Sequence, residues 1–378
     1  MARLIARLDI KDKQLVKGIQ FEGLRKYGEA KSYAEKYFAM GFHELFMSDV
    51  MASLYGRNRL GEMIDDFSRN CRIPITAGGG INNIQSSRNV LMKGADKISI
   101  NSALFKDQSL IKSLAKIHGE QAIVVSIQAR KKPDNSGWLV MSEAGRAHTG
   151  LDLNEWLKIL SHHKFGEIII TSIDFDGTCE GIDIDLLRTV VQKINCPVIY
   201  SGGVSTKCDI ENLFSSGADG VCIGAALHKN ILDQESLSEF SLIKQKGLID
   251  PIKKIKKNKI KCSIVDLDLG NTGSLRYFLE ENGCEVNLTY DHTKILDADV
   301  VWIPGVGNFE EGAAKLKERN LYEPLIKRFK NGKWIVGICL GMHLLGLSSE
   351  ESNTKSEGVG IFKAQVERIS NLESNLRL

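Results

Sequence analysis

The chain has 378 residues, 43% of them apolar, and carries 50 basic against 47 acidic side chains for a net charge of +3. That length holds two domains with a sizeable core, and so even a charge balance excludes nucleic acid or another polyanion as the main partner and directs attention to small-molecule chemistry. The eight cysteines form no C-x-x-C pair, which argues against a zinc site or a disulfide framework; no metal or cofactor is called for, and a reducing cytoplasm fits. There is no signal-peptide core at the amino terminus, and the longest mostly apolar run, 334–347, is too short to span a bilayer, so no membrane partner is expected.

In chain order, apolar runs of strand length occur at 3–9, 44–49, 73–77 and 97–101, then at 122–128, 167–172, 197–201 and 220–224. They are continuous rather than alternating, as parallel strands covered by helices require. Helix-length stretches such as SYAEKYFAMGF (32–42) and LDLNEWLKILSHH (151–163) lie between them. PITAGGGINNIQSSRNVLMKGADKISINSAL, from Pro74, overlays PVIYSGGVSTKCDIENLFSSGADGVCIGAAL, from Pro197, without a gap at an offset of 123 residues. The same shift carries Glu44 onto Glu167. A duplicated half with four strands predicts an α/β fold, a (β/α)8 TIM barrel with twofold internal duplication, whose usual length is roughly 250 residues. An open doubly wound sheet is the rival architecture.

Gly79 and Gly80 in GGGI, and Gly202 and Gly203 in SGGV, stand at strand ends where backbone can approach an anion without a Cβ in the way. The loops after the fourth and eighth strands, SINSA with Asn101 and IGAAL with Gly224 and Ala225, complete two pairs. One isolated Gly-Gly would be read as a tight turn. Two in register predict two phosphate sites across one mouth and a phosphorylated small-molecule ligand.

LDIKDKQLVKG, ITAGGGI, GADKISIN, TSIDFDGT and SGGV together resemble the cyclase subunit of imidazole glycerol phosphate synthase, across residues 1–245. That family condenses ammonia with a bis-phosphorylated ribulosyl nucleotide, and the resemblance implies an acid/base pair of two aspartates at the ends of strands 1 and 5. Asp9 matches the first; Gln128 stands where the second belongs. An amide has no useful basicity, so cyclase activity is expected to be impaired unless Asp174 or Asp176 substitutes. Arg7 stands where the family has a small or thiol side chain, and Met51 replaces a hydroxyl residue. At the opposite face the resemblance implies an ammonia inlet built from Arg3, Glu44, Lys97 and Glu167, all present; the bland reading is a salt-bridged floor.

After the basic linker PIKKIKKNKIK a new βα pattern begins, ending in KWIVGICLGMHLLG, a strand–turn–helix with Cys339 between small residues as in a nucleophile elbow. This resembles the flavodoxin-like class I glutamine amidotransferase domain, specifically the glutaminase subunit of the same synthase. The resemblance implies that glutamine is the ammonia source, that Cys339 is the nucleophile and that Gly305, Val306 and Gly307 of PGVG form the oxyanion loop. The family's histidine and glutamate bases lie in a later motif, whereas the 39 residues after Cys339 contain one histidine, His343, read as a core-facing packing residue. The glutaminase domain is therefore expected to be incomplete, either because the record is cut short or because another polypeptide completes it.

The expected division is a barrel over 1–246, a linker over 247–260 and a partial amidotransferase domain over 261–378. The sequence points to a conduit that passes glutamine-derived ammonia to an acceptor enzyme. The loss of the strand 5 aspartate resembles divergent copies that feed a sugar amidotransferase making acetamidino groups; partners would then be that acceptor enzyme, a complete glutaminase subunit, or both. A histidine-pathway lyase that tolerates Gln128, and a non-catalytic regulatory barrel binding phosphorylated ligands, are the alternatives.

Overall fold

A computed structural model describes residues 3–52, 60–68, 73–240, 260–350 and 356–366. The first half runs β1 (Arg3–Lys11), a hairpin of β2 (Gln14–Ile19) and β3 (Glu22–Glu29), α1 (Ala30–Ala39), β4 (Glu44–Asp49), α2 (Leu60–Ser68), β5 (Ile75–Gly78), α3 (Ile84–Met92), β6 (Lys97–Ile100) and α4 (Ser109–His118). The second half repeats it: β7 (Ile123–Lys131), a hairpin of β8 (Trp138–Ser142) and β9 (Ala147–Asp152), α5 (Leu153–Leu160), β10 (Glu167–Ser172), α6 (Ile184–Val191), β11 (Val198–Ser201), α7 (Lys207–Ser215), β12 (Gly220–Ile223) and α8 (Ala225–His228).

Strands β1, β4, β5, β6, β7, β10, β11 and β12 pair in parallel in that order, and β12 returns to β1 in the register Arg3 to Gly220, so the sheet closes and the open doubly wound alternative is excluded. The period of two along a strand sorts its side chains between two buried faces. On β1, Leu4, Ala6, Leu8 and Ile10 point out to the shell shared with the helices. Ile5 points inward and meets Phe46, Val124, Ile169, Ile199 and Cys222 in an apolar layer across the barrel axis. Arg3 then lies one layer below, and Arg7 and Asp9 above.

Helix limits follow local chemistry. The stretch expected to be helical over 32–42 is α1, which starts at Ala30 and stops before Gly41, whose φ is 85°. That expected over 151–163 is the shorter α5, because Asp152 caps it through the Asn154 amide at 2.8 Å and Glu155 closes the capping box. The two hairpins, β2–β3 and β8–β9, lie outside the eight expected strands; β3, EGLRKYGE, is mostly exposed, whereas β8, WLVMS, is mostly buried.

In the second domain the order is β13 (Lys261–Val265), α9 (Thr272–Glu281), β14 (Glu285–Thr289), α10 (His292–Asp297), β15 (Val300–Gly305), α11 (Phe309–Glu318), α12 (Tyr322–Lys330), β16 (Trp334–Cys339) and α13 (Leu340–Leu344). Its parallel sheet runs β14-β13-β15-β16, the arrangement of a flavodoxin-like start. Within its core the buried Arg328 donates to the carbonyls of Ile295, Ala298, Asp299 and Trp334, tying α12 to the ends of α10 and β16. The linker expected at 247–260 falls almost wholly outside the described residues.

This domain rests on the floor side of the barrel. The Asn271 amide reaches Asp96, just before β6, at 3.4 Å, and the Tyr277 hydroxyl donates to Asp65 on α2. A Cβ on Gly273 would lie 3.2 Å from the Met92 carbonyl, and one on Gly307 only 2.4 Å from that of Ile117. No helix among the described residues is long and apolar enough to cross a membrane.

Candidate functional site

Three strata of side chains stack along the barrel axis. At the floor the Lys97 ammonium lies 3.1 Å from Glu44 and 2.6 Å from Glu167, while Arg3 pairs with Glu167 and approaches Glu44 at 4.0 Å. Thr76 donates to Glu44 as well. Burial would raise Glu167's carboxyl, but the Lys97 and Arg3 cations outweigh it and hold the group ionised below its ordinary range. The structure brings these four residues together: two cations and two carboxylates in one ring. Above them lies the apolar layer of Ile5, Phe46, Val124, Ile169, Ile199 and Cys222.

At the mouth, Arg7 and Asp9 follow Ile5 on the same inward face of β1. The Arg7 Nε donates to Asp9 at 2.9 Å, and its Nη1 donates to the hydroxyls of Thr171 and Ser201, each at 3.2 Å. Its guanidinium also lies over the Phe21 and Phe46 rings. On its other oxygen Asp9 accepts from Lys17 at 2.7 Å, and Lys17 continues to Asp176 at 2.8 Å. Arg7, Asp9, Lys17 and Asp176 thus form a buried, charge-balanced chain. Burial pushes the Asp9 carboxyl up, yet the two cations more than reverse this and hold it well below the usual carboxylate range. A carboxylate so stabilised is a poor proton acceptor near neutrality.

Gln128 does face this mouth from β7, with its amide oxygen accepting from the Gly145 N–H at 2.8 Å. The two aspartates considered as substitutes are both engaged: Asp176 by Lys17, and Asp174 by the Lys131 amide at 2.7 Å out at the rim. Lys17 was not singled out in the sequence, although it lies in the QLVKG stretch. The i, i+2 spacing of Arg7 and Asp9 was the legible sign that they share a face.

The glycine loops differ between halves. Gly79, Gly80 and Asn101 line a cavity of about 650 Å³ together with Arg7, Ser102, Lys106 and Gln128. Gly202, Gly203, Gly224 and Ala225 surround only about 10 Å³, closed by Asp176, Gly177 and Cys179.

In the second domain Cys339 ends β16 with φ 52° and ψ −118°, and α13 starts at the next residue. A Cβ on Gly341 would lie 1.6 Å from the Ile303 carbonyl, so the turn demands a small residue there. This is the sharp strand–turn–helix of a nucleophile elbow, with the thiol exposed. Gly305 is Cys339's register partner on β15, and Val306 and Gly307 follow it, which brings the PGVG loop beside the elbow. His343 is half-buried rather than core-facing: on α13 it is Leu340, Gly341 and Leu344 that are buried.

A family model described as histidine biosynthesis protein matches residues 3–233. The chain belongs to the histidine biosynthesis protein family. Its HisF-type barrel is 46% identical to the imidazole glycerol phosphate synthase subunit HisF of Legionella pneumophila over 202 residues, covering 53% of this chain and 95% of that protein. Against HisF of Prochlorococcus marinus strain MIT 9515 it is 39% identical over 254 residues, 67% of this chain and 98% of the relative. HisF of Wolinella succinogenes is 38% identical over 238 residues, 63% and 94%. Residues 268–371 match a CobB/CobQ-like glutamine amidotransferase domain. The chain is therefore a HisF-type barrel fused to a glutamine amidotransferase domain.

Proposed function

We propose that this protein passes glutamine-derived ammonia through its barrel to an acceptor enzyme and does not itself close an imidazole ring. The observation that carries the reading is the state of the two positions that should do acid/base work. Asp9 is locked between Arg7 and Lys17, and Gln128 cannot take a proton. Support for conduction comes from the floor, where Arg3, Glu44, Lys97 and Glu167 are all retained on the side against which the amidotransferase domain packs. Cys339 would attack glutamine, with Gly305, Val306 and Gly307 holding the developing oxyanion. The reading calls for an acceptor amidotransferase as partner. The acceptor class is a sugar that gains an acetamidino group, on the strength of the Gln128 departure. Overall identity to HisF proteins favours a second reading, a cyclase of histidine biosynthesis.

The test supplies the purified chain with the HisF family's bis-phosphorylated ribulosyl nucleotide and saturating ammonium. No imidazole product is expected. Turnover at an ordinary enzymatic rate would establish the cyclase reading instead.

A further inference from the structure

We infer that the mouth accepts a small, oxygen-rich ligand with a single anionic end, such as a sugar phosphate monoester, and that Arg7 bars a second anionic end. A duplicated barrel offers two glycine-lined ends to one mouth, and here the structure treats them unequally. The first opens on the cavity of about 650 Å³; the second encloses about 10 Å³. Two features close the second end. Loop 174–181 lies directly on its glycine turn: a Cβ on Gly203 would lie 1.8 Å from the Gly181 carbonyl, and Lys229 clasps the Gly177 carbonyl at 3.0 Å. Arg7 then spans the approach to that end, fastened to Thr171 on β10 and Ser201 on β11 and wedged against Phe21 and Phe46.

What remains open has a definite chemistry. Arg7 uses Nε and Nη1 within the protein, and Gln128 uses its oxygen, so among the described residues Arg7 Nη2 and Gln128 Nε2 have no partner while both residues line the cavity. Two donors at the base of this mouth cavity suit the hydroxyl or carbonyl oxygens of a ligand body. At the far end Gly79 and Gly80, at φ 94° and 69°, bare their backbone beside Asn101, Ser102 and Lys106 for the anionic group. The cavity's carboxylates do not all compete: Asp49 is taken by the Met51 amide at 3.0 Å and Asp107 by that of Ser109 at 2.9 Å, leaving Glu143 at the rim. This inference concerns the mouth alone and is independent of ammonia passage.

Calorimetric titration of the unaltered chain with ribose, ribose 5-phosphate and ribulose 1,5-bisphosphate tests it without any amidotransferase activity. Ribose 5-phosphate should bind, ribose should not, and the bisphosphate should bind no more tightly than the monophosphate. Asn101→Asp, which sets a carboxylate beside the anionic end, should weaken ribose 5-phosphate by about ten-fold or more. Arg7→Ala, with Arg7→Met as the bulkier alternative and melting curves as the check of fold, should shift the preference toward the bisphosphate by about ten-fold. The inference is overturned if the unaltered chain binds neither phosphate, if it prefers the bisphosphate by about ten-fold, if Asn101→Asp leaves affinity unchanged, or if a folded Arg7 variant keeps the original ratio.

Discussion

The floor and the mouth of this barrel are separated by one apolar layer; β1 supplies charges to both, while the floor draws the rest from β4, β6 and β10 and the mouth from β2 and the loop after β10. At the floor the charges form a ring that touches the neighbouring domain's side of the barrel. At the mouth the same kind of residues are turned upon one another: the carboxylate that should exchange protons is neutralised by Arg7 and Lys17. On the proposed reading an ion pair here does what a mutation would do, and the bare presence of Asp9 in the sequence does not show it.

The largest effect expected concerns the mouth. Gln128→Asp alone should yield no cyclase, since Asp9 stays locked. Adding Arg7→Cys frees Asp9 from one cation and opens the approach to Ser201; the double variant should exceed either single one by roughly 10²-fold or more, within the 10²–10⁴-fold that general acid/base groups supply. Stopped assays for imidazole product with ammonium would decide it, and equal rates in all three variants would remove Arg7 from the explanation.

At the floor, Lys97→Ala leaves Glu44 and Glu167 sharing Arg3. Loss of one partner of a buried pair costs about 3–5 kcal/mol, and the partly exposed Lys97 should fall at about 3. Denaturant titration measures that. In a reconstituted system with the acceptor enzyme, the variant should release ammonia to solvent and lower product per glutamine consumed, with ammonium salts restoring product. An unchanged ratio would mark the ring as a mere structural closure.

A smaller effect distinguishes barrel packing from barrel charge. Burial pushes His118 down to about 4 and His228 down to about 3. Because these folded values are depressed, the stability they confer is present above the ordinary histidine value and fades as pH falls from about 6.5 through the folded value. For His118 this amounts to about 2 kcal/mol between pH 7 and pH 5. His118→Asn should flatten that part of the stability profile; an unaltered profile would contradict the assignment. Smallest of all, Cys339→Gly should raise stability by about 1 kcal/mol while abolishing thiol labelling at the elbow, because it relieves a non-glycine residue at φ 52°. A destabilised variant would show the turn to be unstrained.

Much of this was readable beforehand, for definite reasons. The barrel strands are continuous apolar runs and occur twice in register, so existence and order followed from pattern; the glycine turns sit at strand ends and came with it, whereas the set of floor charges came from the family resemblance. The first hairpin was hidden because β3 is charged and exposed, giving no apolar signal; in the second, β8 is a buried apolar run, WLVMS, that a count of four strands per half passes over. The locking of Asp9 was hidden because it is assembled from distant places: Lys17 from the first hairpin, Thr171 and Ser201 from the opposite half. The closure of the second glycine end was equally invisible, since SGGV reads the same whether or not loop 174–181 lies upon it. His343 went astray by helical phase alone: one position along α13, Leu344 takes the buried place.

Gly307 offers an engineer a shim. Its Cα lies so close to the end of α4 that a single methyl group would meet the Ile117 carbonyl at 2.4 Å, and its φ of 113° already disfavours any side chain. Gly307→Ala would therefore act as a one-carbon wedge in the seam between the two domains, prising the amidotransferase loop off the barrel without touching Cys339 or any floor charge. On the proposed reading, ammonia released at Cys339 would then escape at the seam instead of entering the barrel.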